Sequence, residues 1–70
     1  MKVREIIKLI EEHGWRHKRT TGSHQHFDHP DKPGLVTVAG KPGKTLPAGT
    51  EWSILKQAGL NRNGEEVAKQ

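Results

Sequence analysis

Cysteine and tyrosine are both absent from this 70-residue chain, and its only aromatic side chains are Trp15, Phe27 and Trp52. Without cysteine there is no disulfide scaffold and no thiolate-held zinc or iron–sulfur site. No run of apolar residues exceeds three, so no segment reads as a membrane span or a signal-peptide core, and a cytoplasmic protein is expected. Hydrophobic residues make up only 30% of the chain. A domain of this size folds alone but marginally, because so much of its surface stays wet. That leaves no room for a second domain or for a deep pocket enclosing a large cofactor. The glycines between 34 and 49 never form GxxxxGK[ST], so nucleotide binding has little support. No cofactor is expected.

Positive charge, by contrast, is in excess. Twelve Lys and Arg stand against eight Asp and Glu, a net charge of +4 with neutral histidines, and the pI is near 9.8. All five histidines fall between positions 13 and 29, together with Arg16, Lys18 and Arg19, and only Asp28 opposes them. Such a cluster suits a phosphate-binding surface, although a soluble domain also carries a modest basic face with no polyanion partner.

Val3, Ile6, Ile7 and Ile10 recur with the spacing of an amphipathic helix, and Leu9 widens the stripe. Glu5 and Glu12 flank Lys8 on the polar side, and Gly14 is a natural stop. WRHKRT at 15–20 is short and basic and runs into a turn at Thr21–Gly22. SHQHFD at 23–28 reads as a second strand, closed by Pro30 and by the Asp31–Lys32–Pro33–Gly34 turn. LVTVA at 35–39 is the clearest strand, rich in β-branched residues and ended by Gly40. The stretch 40–49, with three glycines and two prolines, is loop and carries Lys41 and Lys44. Thr50 is the expected N-cap of a second helix, EWSILKQA, ended by Gly59, with Trp52 and Leu55 leading its buried stripe and Ile54 and Ala58 as further members. Residues 1–60 form the expected single domain. Residues 61–70 form a polar C-terminal tail in which EEVAK can add a turn or two of helix.

The predicted fold class is therefore α+β, in the order α-β-β-β-α. Three strands joined by short turns form an antiparallel sheet, and both helices bury their stripes on one of its faces. The other face is left to water or a ligand, as in a double-stranded-RNA-binding domain. Side chains alternate along a strand, so Ser23, Gln25 and Phe27 share one face and His24, His26 and Asp28 the other. Phe27 should point at the helices, which places His24 and His26 on the open face near the cations of the preceding strand.

Most surface histidines on a small basic protein are simply polar. His13 suits the negative end of the first helix dipole, His17 decorates an edge strand, and His29 precedes Pro30 in a turn. The run HQHFDH at 24–29 matches the HxHxDH zinc run of metallo-β-lactamase-fold hydrolases. That fold needs a far longer chain with ligands downstream, and here no histidine follows position 29 and no aspartate follows Asp31. No functional metal site is expected.

VREIIKLIEEHGW, GSHQHF, LVTVA and LPAGTEWSILKQAGL together span roughly residues 2–60, and on these segments the chain resembles the HicA/YcfA mRNA interferase family. The resemblance implies a double-stranded-RNA-binding-like fold, an endoribonuclease that cuts mRNA, and a HicB-type antitoxin covering the active histidine. The toxin would be a monomer when free and part of a hetero-oligomer with its antitoxin. The family's catalytic histidine is the one in GSH, His24 here. Many relatives carry a second histidine in the loop after the third strand, where this chain has GKPGK, so a loop contribution to phosphate binding rests on Lys41 and Lys44. Trp52 stands near a position where relatives often have a smaller residue. The expected RNA-binding set is Arg16, Lys18, Arg19, Ser23, His26, Lys41 and Lys44, with His26 the nearest second proton donor. The rival reading is an RNA-binding module of the same fold with no catalysis. A third is a small interaction domain whose basic face meets an acidic protein.

Overall fold

A computed structural model describes residues 1–67. The first apolar stripe forms helix α1 (Val3–Glu12), which buries Val3, Ile6 and Ile10 while Ile7 and Leu9 pack at its margin. Its end follows from one glycine. Gly14 takes φ 94°, the Trp15 N–H reaches back to the Ile10 carbonyl (3.1 Å), and the Gly14 N–H to that of Glu11 (3.0 Å). These two bonds make a Schellman cap and deliver Trp15 into the core beside the helix end.

Strands β1 (Arg16–Thr21), β2 (His24–Asp28) and β3 (Val36–Ala39) form an antiparallel sheet in that spatial order. Gly22 and Ser23 make the two-residue turn between β1 and β2. Gly22 has φ 59° and Ser23 does not have a positive φ, the pattern of a type II′ hairpin turn. Thr21 therefore belongs to β1, and Ser23 leaves the strand in which it was expected. Phe27, Val36 and Val38 turn to the helices and are fully buried.

Helix α2 (Ala48–Gln57) begins two residues before the expected Thr50 cap, with Pro47 in the N-cap position and its carbonyl already accepting the Glu51 N–H. Pro47 offers no side-chain cap, so nothing in its chemistry marks the start. Leu46 is buried just before it. Ile54, Leu55 and Ala58 form the buried stripe, and Trp52 packs against it partly buried at the rim, with Arg62 over its ring at 4.6 Å and Lys56 at 5.6 Å. Gly59 repeats the Schellman cap through Leu60 to Leu55 (2.8 Å) and Gly59 to Lys56 (3.0 Å), and Leu60 enters the core.

The helices cover only part of the sheet. Every residue of β1 is exposed, so this strand overhangs the core as a wet edge ribbon. Beyond Leu60 the chain turns back: Leu60 pairs with Glu66, and Asn61 Oδ1 accepts the N–H groups of Asn63 and Glu65. Residues 65–67 are not helical; the rest of the turn expected at EEVAK lies outside the described residues. Among the described residues, no helix is long and apolar enough to cross a membrane.

Candidate active site

The ladder register decides what the open face carries. Arg16 pairs with Asp28 and His17 with Phe27, but the next partners are Arg19 with His26, then Thr20 with Gln25 and Thr21 with His24. Lys18 is the extra residue of a β-bulge. Directly opposed residues share a face, so the bulge brings both Arg16 and Arg19 to the face that holds Asp28, His26 and His24. Uniform alternation would have placed these two arginines on opposite faces. On the other flank, His24 opposes Ala39 and His26 opposes Thr37.

His24 is exposed, one residue past the hairpin turn. Among the described residues its ring makes no side-chain hydrogen bond, so both nitrogens are open to a substrate. His26 is half-buried, and its Nδ1 lies 3.0 Å from Thr37 Oγ1. Asp28 closes the row and pairs loosely with Arg16 at 3.8 Å, an exposed contact of little energetic weight. Of the expected RNA-binding cations, Arg16 is thus partly neutralised and stands at the end of the sheet away from His24, roughly 13 Å along the strand. Arg19 faces His26. Lys18 is exposed in the bulge.

Ser23 sits in the turn, where its carbonyl accepts the Gly40 N–H (3.0 Å). That bond brings the 40–47 loop to the His24 end of the sheet. The loop is held from behind as well. The carbonyls of Lys44 and Pro42 accept the Val3 and Arg4 N–H groups (2.9 and 3.1 Å), two donors that the start of α1 leaves unpaired. Lys44 runs its alkyl stem over Gly40, whose missing Cβ would lie 2.9 Å from Lys44 Cδ. Lys41 and Lys44 are exposed cations on this anchored loop, and the Lys44 stem lies on the side of Gly40 that meets Val3 of α1.

The remaining histidines do structural work. His29 Nε2 donates to the His13 carbonyl (2.9 Å), its Nδ1 accepts the Asp31 N–H (3.0 Å), and its ring meets Trp15 edge-on at 5.2 Å. In the sequence, His29 before Pro30 reads only as a turn residue. His13 is the C-cap of α1. His17 bonds Thr20 Oγ1 at 2.7 Å and lays its ring against Phe27.

Thr37 escaped the sequence reading, although a polar residue between two inward valines of LVTVA must point to the open face. Among the described residues no group of three or more His, Asp or Glu side chains gathers around a point that could hold a metal ion; His24, His26 and Asp28 stand in a line along one strand. Two surface hollows lie away from this row. One of about 630 Å³ is bounded by Lys32, Pro33, Lys56, Gly59 and Val67, and one of about 140 Å³ by Glu51, Trp52 and Arg62. Neither includes a residue of the three strands.

No curated protein matches the sequence. The family model described as the HicA toxin of bacterial toxin–antitoxin matches residues 3–60, which takes in α1, all three strands, the anchored loop and α2. With that match over most of its length, the chain belongs to the HicA toxins of bacterial toxin–antitoxin systems, a family whose members act opposite an antitoxin.

Proposed function

We propose that this toxin is an mRNA endoribonuclease that needs no metal, an mRNA interferase, with His24 as its catalytic histidine. The observation that carries this reading is the exposed, uncommitted ring of His24 on an open sheet face that also carries Arg19, one residue from the turn to which Gly40 is bonded. RNA brings its own nucleophile, the 2′-hydroxyl. Cleavage then needs a base to take that proton, an acid for the leaving 5′-oxygen, and positive charge around the transition state. His24 is the base. Arg19, Lys41 and Lys44 hold the phosphates, with Lys18 and Arg16 further out along β1. Ser23 and Gly22 set the hairpin geometry that presents the ring. A single proton-transfer group contributes roughly 10²–10⁴-fold, so a slow enzyme of this kind can still be toxic.

The same face explains how a HicB-type antitoxin neutralises the toxin. A partner that covers His24 and its cations blocks substrate and catalyst together, turning a free monomer into an inactive hetero-oligomer. The enzyme works where mRNA is, in the cytoplasm. The test is expression of wild type and His24→Ala without antitoxin. Wild type is expected to arrest growth and degrade mRNA, and the variant to do neither. Arrest with RNA loss by the variant would overturn the assignment, and tight RNA binding without cleavage by the wild type would favour a non-catalytic module.

A further inference from the structure

The histidines differ in what holds their rings and in which face of the sheet they occupy, and the two together single out His26. His29 is committed at both nitrogens, one to a carbonyl that only accepts and one to an N–H that only donates. A ring held this way is fixed in one tautomer and keeps no atom for a substrate. His26 is anchored through Nδ1 alone, by the Thr37 hydroxyl at 3.0 Å. A hydroxyl accepts a bond from a protonated Nδ1 or donates one to a bare Nδ1. A ring that gives up its Nε2 proton keeps the one on Nδ1, so the Thr37 hydroxyl accepts from Nδ1 before and after the transfer, while Nε2 stays uncommitted among the described residues. His17 is held likewise, by Thr20 Oγ1, but it opposes Phe27 on the other face of the sheet. His26 also shares the strand face with His24, about 6.6 Å further along the strand, and Arg19 stands directly opposite it.

We infer that His26 is a second catalytic residue of this face, the general acid, with Thr37 as its positioning residue. The inference rests on the ribonuclease reading of His24. His24 takes the 2′-hydroxyl proton as the 2′-oxygen bonds to phosphorus. The bond from phosphorus to the 5′-oxygen breaks, and that oxygen leaves with a proton from His26 Nε2. The products are a 2′,3′-cyclic phosphate and a free 5′-hydroxyl, with no change of oxidation state. Arg19 meets the charge that gathers on the non-bridging oxygens.

Single-turnover cleavage of two short RNAs tests the assignment, one with ordinary linkages and one with sulfur replacing the 5′-oxygen at the cleaved bond. A thiolate leaves without a proton, so the second substrate has no need of a general acid. His26→Ala is expected to slow cleavage of the ordinary RNA roughly 10²–10³-fold and to cleave the sulfur substrate at nearly the wild-type rate, which also shows that the variant is folded. His24→Ala should be slow on both. Thr37→Val should lose part of the rate on the ordinary RNA alone, and Thr37→Ser should restore it. Wild-type rates for His26→Ala on the ordinary RNA, or equal losses on both substrates, would overturn the inference and leave His24 untouched. If the wild type cleaves neither RNA, the ribonuclease reading falls and this inference falls with it.

Discussion

Trp15 donates its indole N–H to the carbonyl of Ala58, 3.2 Å away in the buried core. One side chain thereby ties the start of the sheet to the end of α2. The Ala58 carbonyl belongs to the last turn of that helix, and Trp15 is delivered to it by the Gly14 cap. Trp15→Phe keeps an aromatic ring but leaves that carbonyl buried without its donor. It is expected to lower stability by about 1–3 kcal/mol, read from urea unfolding followed by circular dichroism. An unchanged midpoint would show that the bond carries no net weight.

Gly14 and Gly22 both take positive φ, yet they differ in what surrounds them. A Cβ on Gly14 would lie 2.6 Å from His29 Nε2, whereas one on Gly22 meets nothing within 4 Å. Gly22→Ala therefore carries only backbone strain, about 1–3 kcal/mol, and Gly14→Ala should cost more. In a His29→Ala background the extra cost of Gly14→Ala should shrink towards the Gly22→Ala value. Unfolding of the four variants gives the coupling directly.

Glu5 accepts the Lys2 N–H at 2.6 Å, the reach-back half of a capping box at the start of α1. This hydrogen bond, ahead of the charges of the N-terminus, Lys2 and Arg4, holds its carboxyl below the ordinary value of 4.5. A carboxyl depressed on folding adds stability above its unfolded pKa, and that contribution is lost as pH falls through the folded value. Stability should drop from pH 5 towards pH 3, and Glu5→Gln should flatten part of the drop while being less stable at pH 7. Parallel curves for the two proteins would contradict this role.

The cations of β1 are not equivalent. Arg16 shares its charge with Asp28 at 3.8 Å, whereas Arg19 faces His26 with no acid opposite it. Binding of single-stranded RNA to the His24→Ala protein, measured across salt concentrations, should separate them. Arg19→Ala should reduce the magnitude of the log–log salt slope by about 0.7, the value for one phosphate contact on a single strand. Arg16→Ala should change it less. Equal slopes would place the phosphate path elsewhere.

The architecture was legible where one signal dominated. The spacing of Val3, Ile6 and Ile10 defines α1, Gly14 and Gly59 close the helices, and the β-branched run at 36–38 defines β3. The parity of Phe27 against His24 and His26 identifies the open face. What stayed hidden depends on partners distant in sequence. The Lys18 bulge is a choice of ladder register that no local pattern encodes, yet it puts Arg16 and Arg19 on one face. α2 starts after Pro47, which offers no side-chain cap, so the capping chemistry of Thr50 points to the wrong residue. His29 reads as a turn residue until the fold brings the His13 carbonyl to it. Leu46 and Leu60 are core residues in loops, where periodicity is silent.

The measurement that bears most directly on His24 is single-turnover cleavage of a single-stranded RNA by purified protein in excess. The wild type is expected to cut it, and His24→Ala to be slower by roughly 10²–10⁴-fold while binding the RNA as tightly. Equal cleavage rates for the two proteins would contradict the assignment of His24 as the catalytic group.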